Sequence, residues 1–187
     1  MADTSTDAPT ITDFIRRQHG EIERLFTDVE GGLGDDRRQA FECLVRLLAV
    51  HETAEEEVAW PVVRHAGPDG DAIVDARTAE ESDAKRLLAD LEKLGPEHED
   101  FATGLDDLRQ AVLTHARHEE DTALPLLERT QSHEQLVGMG AAARAAEAIA
   151  PTHPHPHGPE SALGNLAVGP LAAVVDRARD ALRAVRR

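Results

Sequence analysis

The chain has no tyrosine, one tryptophan, four phenylalanines and a single cysteine, Cys43. Without tyrosine, a tyrosinate ligand or a tyrosyl radical is excluded. One cysteine excludes an intramolecular disulfide and any cysteine-based zinc or iron–sulfur site. Strand-favouring aromatics are scarce, and the 41% hydrophobic share is mostly Ala, Leu and Val, which points to an all-α fold. Basic residues are in the minority, 20 against 36 acidic ones, for a net charge of −16. Such a surface repels phosphate backbones and anionic lipid, so neither nucleic acid nor a membrane is an expected partner. No apolar run approaches transmembrane length, and the polar stretch from Met1 to Pro9 has no basic n-region. The expectation is a cytoplasmic protein, a monomer or a weak homo-oligomer.

Four long amphipathic stretches fill most of the chain. The first is expected to start near Thr12 or Asp13, with Ile15, Ile22, Phe26 and Val29 on one face and Gly31-Gly32 at its end. The second runs from about Arg37 to the mid-sixties, with Phe41, Leu44, Leu48, Val58 and Val62 on its stripe. Pro61 is expected to kink it or loosen its last turns. The third runs from about Ala72 to Leu94, with Val74, Arg77, Ala84, Leu88 and Leu91 on one side, and Gly95-Pro96 stops it. The fourth runs from about His98 to Thr130, with Phe101, Leu105, Leu108, Val112, Thr122 and Leu126 on its stripe. Two such hairpins read as an up-down-up-down four-helix bundle over residues 11–131, after a disordered N-terminus, residues 1–10. Residues 132–187 read as a helical C-terminal extension. It comprises a short Ala-rich helix from Glu134 to Ala150, a His-Pro linker around His153, His155 and His157, and a final amphipathic helix from Pro170 to Val185.

One pattern occurs twice. His51-Glu52-Thr53-Ala54-Glu55-Glu56 leads to Trp60-Pro61, and His115-Ala116-Arg117-His118-Glu119-Glu120 leads to Leu124-Pro125, with His, both Glu and Pro at the same offsets. Four residues is about one helical turn, so each His stacks with its first Glu on one face. His19, His51, Glu55, Glu81, His115 and Glu119 all fall on stripes that are otherwise apolar. A buried carboxylate must be paired, protonated or metal-bound, and Arg77 is the only basic residue near these stripes. Two cations would neutralise the cluster. Imidazole with carboxylate, and no thiolate, suits iron, with manganese or zinc less favoured. On this reading Glu55 and Glu119 bridge two metals, His51 and His115 are terminal ligands, and His19 and Glu81 complete the set. Helix phase leaves Glu80 as the alternative to Glu81.

These residues resemble the hemerythrin-like (HHE cation-binding) family, whose pattern is H…HxxxE…H…HxxxE. The resemblance covers roughly residues 10–130, and the tail resembles a C-terminal extension of actinobacterial members. It implies a non-haem diiron centre in a four-helix bundle, with His19, His51, Glu55, His115 and Glu119 matching its ligands. The third helix departs from the pattern, since Glu81 stands where the family usually has His. The carboxylate-rich set resembles oxygen- and peroxide-activating diiron proteins more than oxygen carriers.

The implied function is binding of, or reaction with, O2, NO or hydrogen peroxide, including catalase-like decomposition at the diiron centre itself. The alternatives are a non-catalytic iron-binding, sensing or storage protein, and a zinc or manganese bundle acting as an interaction module. Whether the centre turns over is left open by the sequence. Glu56, Glu57, Glu120, Asp121 and His118 are expected at the surface or just outside the cluster, His65, His98 and His133 in solvent, and Trp60 and Phe26 in the core or a lid.

Overall fold

The computed structural model describes residues 8–149, which contain helices and no strand. The His-Pro segment and the expected last amphipathic helix lie outside the described residues, as do residues 1–7. Helix α1 spans Ile11–Gly31. Helix α2 begins as an α-helix over Gly34–Ala54, passes through a π turn at Glu55–Ala59 and resumes over Trp60–Val63. Helix α3 spans Gly70–Leu94. Helix α4 repeats the second pattern, with α-helix over Phe101–His118, a π turn at Glu119–Ala123 and α-helix over Leu124–Thr130. Helix α5 spans His133–Ile149.

The connections are only a few residues long, so consecutive helices run antiparallel. Helix α1 packs on α2 and α3 on α4, and α1 against α4 closes the four-helix bundle. The extra helix α5 lies against α1 and α2.

Helix α1 starts earlier than the Thr12 or Asp13 expected. Thr10 caps it: its hydroxyl accepts from the Asp13 backbone N–H at 3.1 Å, and its own N–H donates to the Asp13 carboxylate at 2.9 Å. This reciprocal box turns Asp13 into a third-position partner rather than the cap. At the other end of the bundle Gly95 adopts φ +81, a backbone that side chains rarely tolerate, and α3 ends there.

The loosening expected near Pro61 takes the form of a π turn just before it. The π turn before it bonds the Trp60 N–H to the Glu55 carbonyl, and Pro61 follows inside the next α-helical segment. Helix α4 does the same, with the Leu124 N–H on the Glu119 carbonyl and Pro125 next. Each π turn inserts one residue, so the buried stripe slips by one position beyond it. Thr122, expected on the stripe, is exposed, while Ala123, Leu124 and Leu127 are fully buried. Val62 is only half-buried and Val63 takes its place.

The apolar core forms two clusters, one at each end of the bundle. The first gathers Ile11, Phe14, Trp60, Val63, Leu124 and Leu127 with Leu136, Met139 and Ala143 of α5. The second gathers Phe26, Leu44, Leu91, Phe101 and Leu108, with Phe41 and Phe101 edge-on at 5.1 Å. Each fully buried large side chain contributes about 1.5–3 kcal/mol. Between the two clusters lies a band of polar side chains.

Candidate metal centre

All six residues singled out from the stripes converge in that band. Helix α1 supplies His19, α2 supplies His51 and Glu55, α3 supplies Glu81, and α4 supplies His115 and Glu119; all are buried. Donor atoms of His19, His51, Glu55 and Glu119 lie within 4.8 Å of one another, as do those of Glu55, Glu81, His115 and Glu119. Glu55 and Glu119 belong to both groups, and each is the first residue of a π turn. Glu80 belongs to neither group.

The three imidazoles share one arrangement. Each turns Nε2 inward and is held at Nδ1 by an acceptor outside the cluster. His19 Nδ1 lies 2.7 Å from Glu120 Oε1, His51 Nδ1 lies 3.1 Å from Gln18 Oε1, and His115 Nδ1 lies 3.1 Å from Glu80 Oε2. A histidine held this way has its ring orientation fixed and its Nε2 directed to the centre. The Glu80 carboxylate also accepts from His118 at 2.8 Å and from Arg77 at 2.9 Å. Arg77 therefore serves Glu80 and forms no ion pair with the six.

Inside the cluster His19 Nε2 bonds Glu119 Oε2 at 3.0 Å, and most of the other inward polar atoms are close but unpartnered. His51 Nε2 stands 3.3 Å from Glu55 Oε1, and His115 Nε2 stands 3.0 Å from Glu119 Oε1. Neither pair is aligned as a hydrogen bond, and both Glu55 oxygens, Glu81 Oε2, His115 Nε2 and Glu119 Oε1 are buried without a partner. Leaving one buried polar atom unsatisfied costs about 1–3 kcal/mol. Five such atoms in one place, from carboxylates and imidazole with no thiolate, fit a pair of cations of the iron or manganese type. The remaining Glu81 oxygen is occupied, accepting from Trp60 Nε1 at 3.0 Å.

The electrostatics of the bare site follow from burial and crowding. Burial pushes the Glu55 carboxyl well above the ordinary range, and the neighbouring Glu119 and Glu81 add to the shift. Burial also raises Glu81, against the opposing pull of the Trp60 hydrogen bond. His51 is driven down to about 3 by burial, with the other two imidazoles assisting, so its ring is neutral. For His115 burial acts downward but is outweighed by Glu119 and Glu80, which hold it up at about 9. Glu119 is also desolvated, yet the close imidazoles of His115 and His19 keep it well below the ordinary range.

A small cavity opens beside the cluster, with about 20 Å³ of room for water-sized ligands. His19, His51, Glu81 and His115 face it, and Ile22, Leu48, Ala84 and Val112 form apolar walls.

The remaining polar residues sort by contact. Glu120 is half-exposed but touches His19. Glu56 and Glu52 are each held by Lys85 at 3.2 Å, and burial raises Glu52 to about 7. His65, His98 and His133 are exposed, and Trp60 and Phe26 are in the core. Sequence reading missed Gln18, which is fully buried and bonded to His51 on one side and to Glu147 of α5 on the other at 3.3 Å. Its signal was present: Phe14, Gln18 and Ile22 follow at one-turn spacing, placing an amide on an apolar face. The anchoring role of Glu80 was missed as well.

Comparison with known proteins agrees with this geometry. The family model described as "Hemerythrin HHE cation binding domain" matches residues 10–127. An uncharacterized hemerythrin-like protein of Schizosaccharomyces pombe is 25% identical over 172 residues, 91% of this chain and 85% of that one. A DNA nickase of a Nostoc species is 32% identical over 128 residues, 67% of this chain but only 35% of that protein. The crystal structure of a hemerythrin HHE cation binding domain-containing protein from Mycobacterium kansasii superposes with a TM-score of 0.66 at 18% identity, covering 91% of this chain and 99% of that one. With the paired His–Glu turns, the four-helix frame and the match over residues 10–127, the chain belongs to the hemerythrin HHE cation-binding domain family.

Proposed function

We propose that the chain holds two iron ions among these six side chains and acts on a small diatomic or peroxide ligand. His19 and His51 hold one ion, Glu81 and His115 hold the other, and Glu55 and Glu119 are shared. The observation that carries this reading is the set of buried, unpartnered atoms on Glu55, Glu81, His115 and Glu119, which face one another and which two cations would satisfy. When bound, two adjacent irons supply Lewis-acid and redox chemistry toward O2, NO or hydrogen peroxide.

The chain's own residues do the rest. Gln18, Glu80 and Glu120 fix the three imidazole rings by holding the Nδ1 protons. The cavity admits a ligand of two or so heavy atoms and offers no space for an organic substrate. Its apolar walls limit water at the reacting face. Glu120, half-exposed and bonded to His19, is placed to exchange a proton with solvent, whereas Glu56 is tied to Lys85. Three carboxylates among the six donors favour ferric iron and peroxide chemistry over reversible oxygen storage.

The nickase activity of one relative is not carried over. That similarity covers about a third of its length, and a charge of −16 opposes a DNA backbone.

The test is metal content and peroxide turnover of protein purified from iron-supplemented cells. Two irons per chain with oxygen release on adding hydrogen peroxide support the proposal. Two irons without turnover or ligand binding move the function to iron storage or delivery. A zinc protein, or one that takes up no metal, refutes the diiron reading.

A further inference from the structure

We propose that helix α5 is coupled to the metal centre, with Glu147 acting through Gln18 as a positioning residue for His51. Docking of α5 and occupation of the His19–His51 position then stabilise each other. This rests on the two-iron reading above and extends it to a helix that carries none of the six donors. Gln18 is fully buried, and its amide has one accepting end and one donating end. Its Oε1 lies 3.1 Å from His51 Nδ1, and its Nε2 donates to Glu147 Oε1 at 3.3 Å. Among the described residues that Nε2 has no other partner. A His51 that offers Nε2 to a metal keeps its proton on Nδ1, so it needs the oxygen end of the amide. The NH2 end must then face α5, where a carboxylate can only accept. Reversed, the amide would set donor against donor at His51. Glu147 thus selects the amide orientation that His51 requires.

A second contact ties α5 to the same stretch of α2. Leu136, Met139, Ala142 and Ala143 share an apolar cluster with Ala54, which caps the π turn, and with Val58 inside it. Helix α5 also touches that π turn, which begins at Glu55. It therefore backs the segment that supplies both His51 and Glu55. Its own hold on the bundle rests largely on small side chains, with Ala142, Ala143 and Ala146 among those buried. At Gly138 nothing occupies the space of a Cβ, so packing does not require that poor helix former. A helix docked on so little apolar area responds to a change at one buried hydrogen bond.

The experiment titrates the full, metal-stripped chain anaerobically with Fe2+ against a competing chelator, and follows amide hydrogen exchange by mass spectrometry. Glu147→Leu should weaken one of the two ferrous ions by about tenfold, and more than the other. Glu147→Gln keeps an acceptor for Gln18 Nε2 and should restore most of that affinity. Arg17→Met removes the other Glu147 contact, at 3.5 Å, and should leave affinity unchanged. In a Gln18→Leu chain, Glu147→Leu should cost nothing further, since both act on one ring. Coupling is reciprocal, so iron should slow exchange in residues 133–149 by the same factor of about ten in the unaltered chain and not in Glu147→Leu. Additive losses, an Arg17→Met loss equal to that of Glu147→Leu, or iron-dependent protection of α5 that survives in Glu147→Leu would overturn the coupling while leaving a two-iron site intact. No iron uptake by the unaltered chain would overturn the two-iron reading itself.

Discussion

Replacing Glu55 by methionine should make the metal-free protein more stable and the metal-loaded protein less so. Glu55 is completely buried, and neither carboxylate oxygen has a partner. Burial and the facing Glu119 keep its carboxyl protonated well above the usual range. In the metal-free chain near pH 5 it is a neutral, unsatisfied polar group costing about 1–3 kcal/mol. Methionine keeps the length and removes that cost. As the pH rises, the unfolded chain releases this proton while the folded chain holds it, so the wild type loses stability through that window. The variant's advantage should grow by up to about 1.4 kcal/mol per pH unit above the ordinary Glu range. Each kcal/mol moves the melting temperature of a chain this size by about 2–4 °C. With metal the order reverses, because each site filled at a hundredfold excess over its Kd adds about 2.7 kcal/mol and Glu55 is shared by both. The assay is thermal unfolding by circular dichroism in chelator and in excess metal, at several pH values. A folded Glu55→Met protein that melts below the wild type in chelator, or a difference that does not change with pH, would refute the reasoning.

Other expectations follow from individual contacts. Gln18→Leu and Glu80→Ala each remove the Nδ1 acceptor of one imidazole and should weaken metal binding by about 10–100-fold in chelator competition, without changing the number of ions bound. Glu81→Ala should instead remove one coordination position and alter the visible spectrum of the iron-loaded protein more than Glu80→Ala does. Thr122→Lys should shift stability by no more than about 0.5 kcal/mol, whereas Ala123→Lys should prevent folding, as read by urea denaturation; the two residues are exposed and fully buried respectively. Gly70→Ala should destabilise by about 1–3 kcal/mol with unchanged metal stoichiometry, because a Cβ there would overlap the Val63 carbonyl oxygen.

The helices and their inward faces were legible because the apolar spacing of Ile15, Ile22 and Phe26, or of Leu105, Leu108 and Val112, is a direct image of burial. The polar cluster was legible for the same reason, since His19 and Glu81 interrupt those stripes. What holds the cluster from outside was not. Glu120 and Glu80 sit on half-exposed faces, where an acidic residue carries no signal in a chain so rich in them. Their partners come from other helices, so no local spacing reveals them. Only the structure separates Glu80 from Glu81, by showing one carboxylate turned toward Arg77 and His118 and the other toward Trp60 and the centre.

The slip beyond each repeat has a similar origin and ties the fold to the site. A straight α-helix would carry the stripe from Glu119 to Thr122 and Leu126, as the spacing suggests. The chain instead spends one additional residue at Glu119–Ala123, and again at Glu55–Ala59, in turns whose hydrogen-bond geometry is poorer. Both π turns start at the glutamate common to the two donor groups, and both are followed by a proline. Proline has no N–H to contribute and crowds the carbonyl four residues back, so a widened turn just before it relieves a conflict that an unbroken α-helix would suffer. The repeat His-x-x-x-Glu-Glu-x-x-x-x-Pro thus encodes two linked things. Its His–Glu half aims donors inward one turn apart, and its proline half favours the widened turn that lets Ala59 and Val63, or Ala123 and Leu127, still reach the core beyond them. Periodicity records only the first, because it assumes a constant pitch, and the pitch changes where the candidate centre is built.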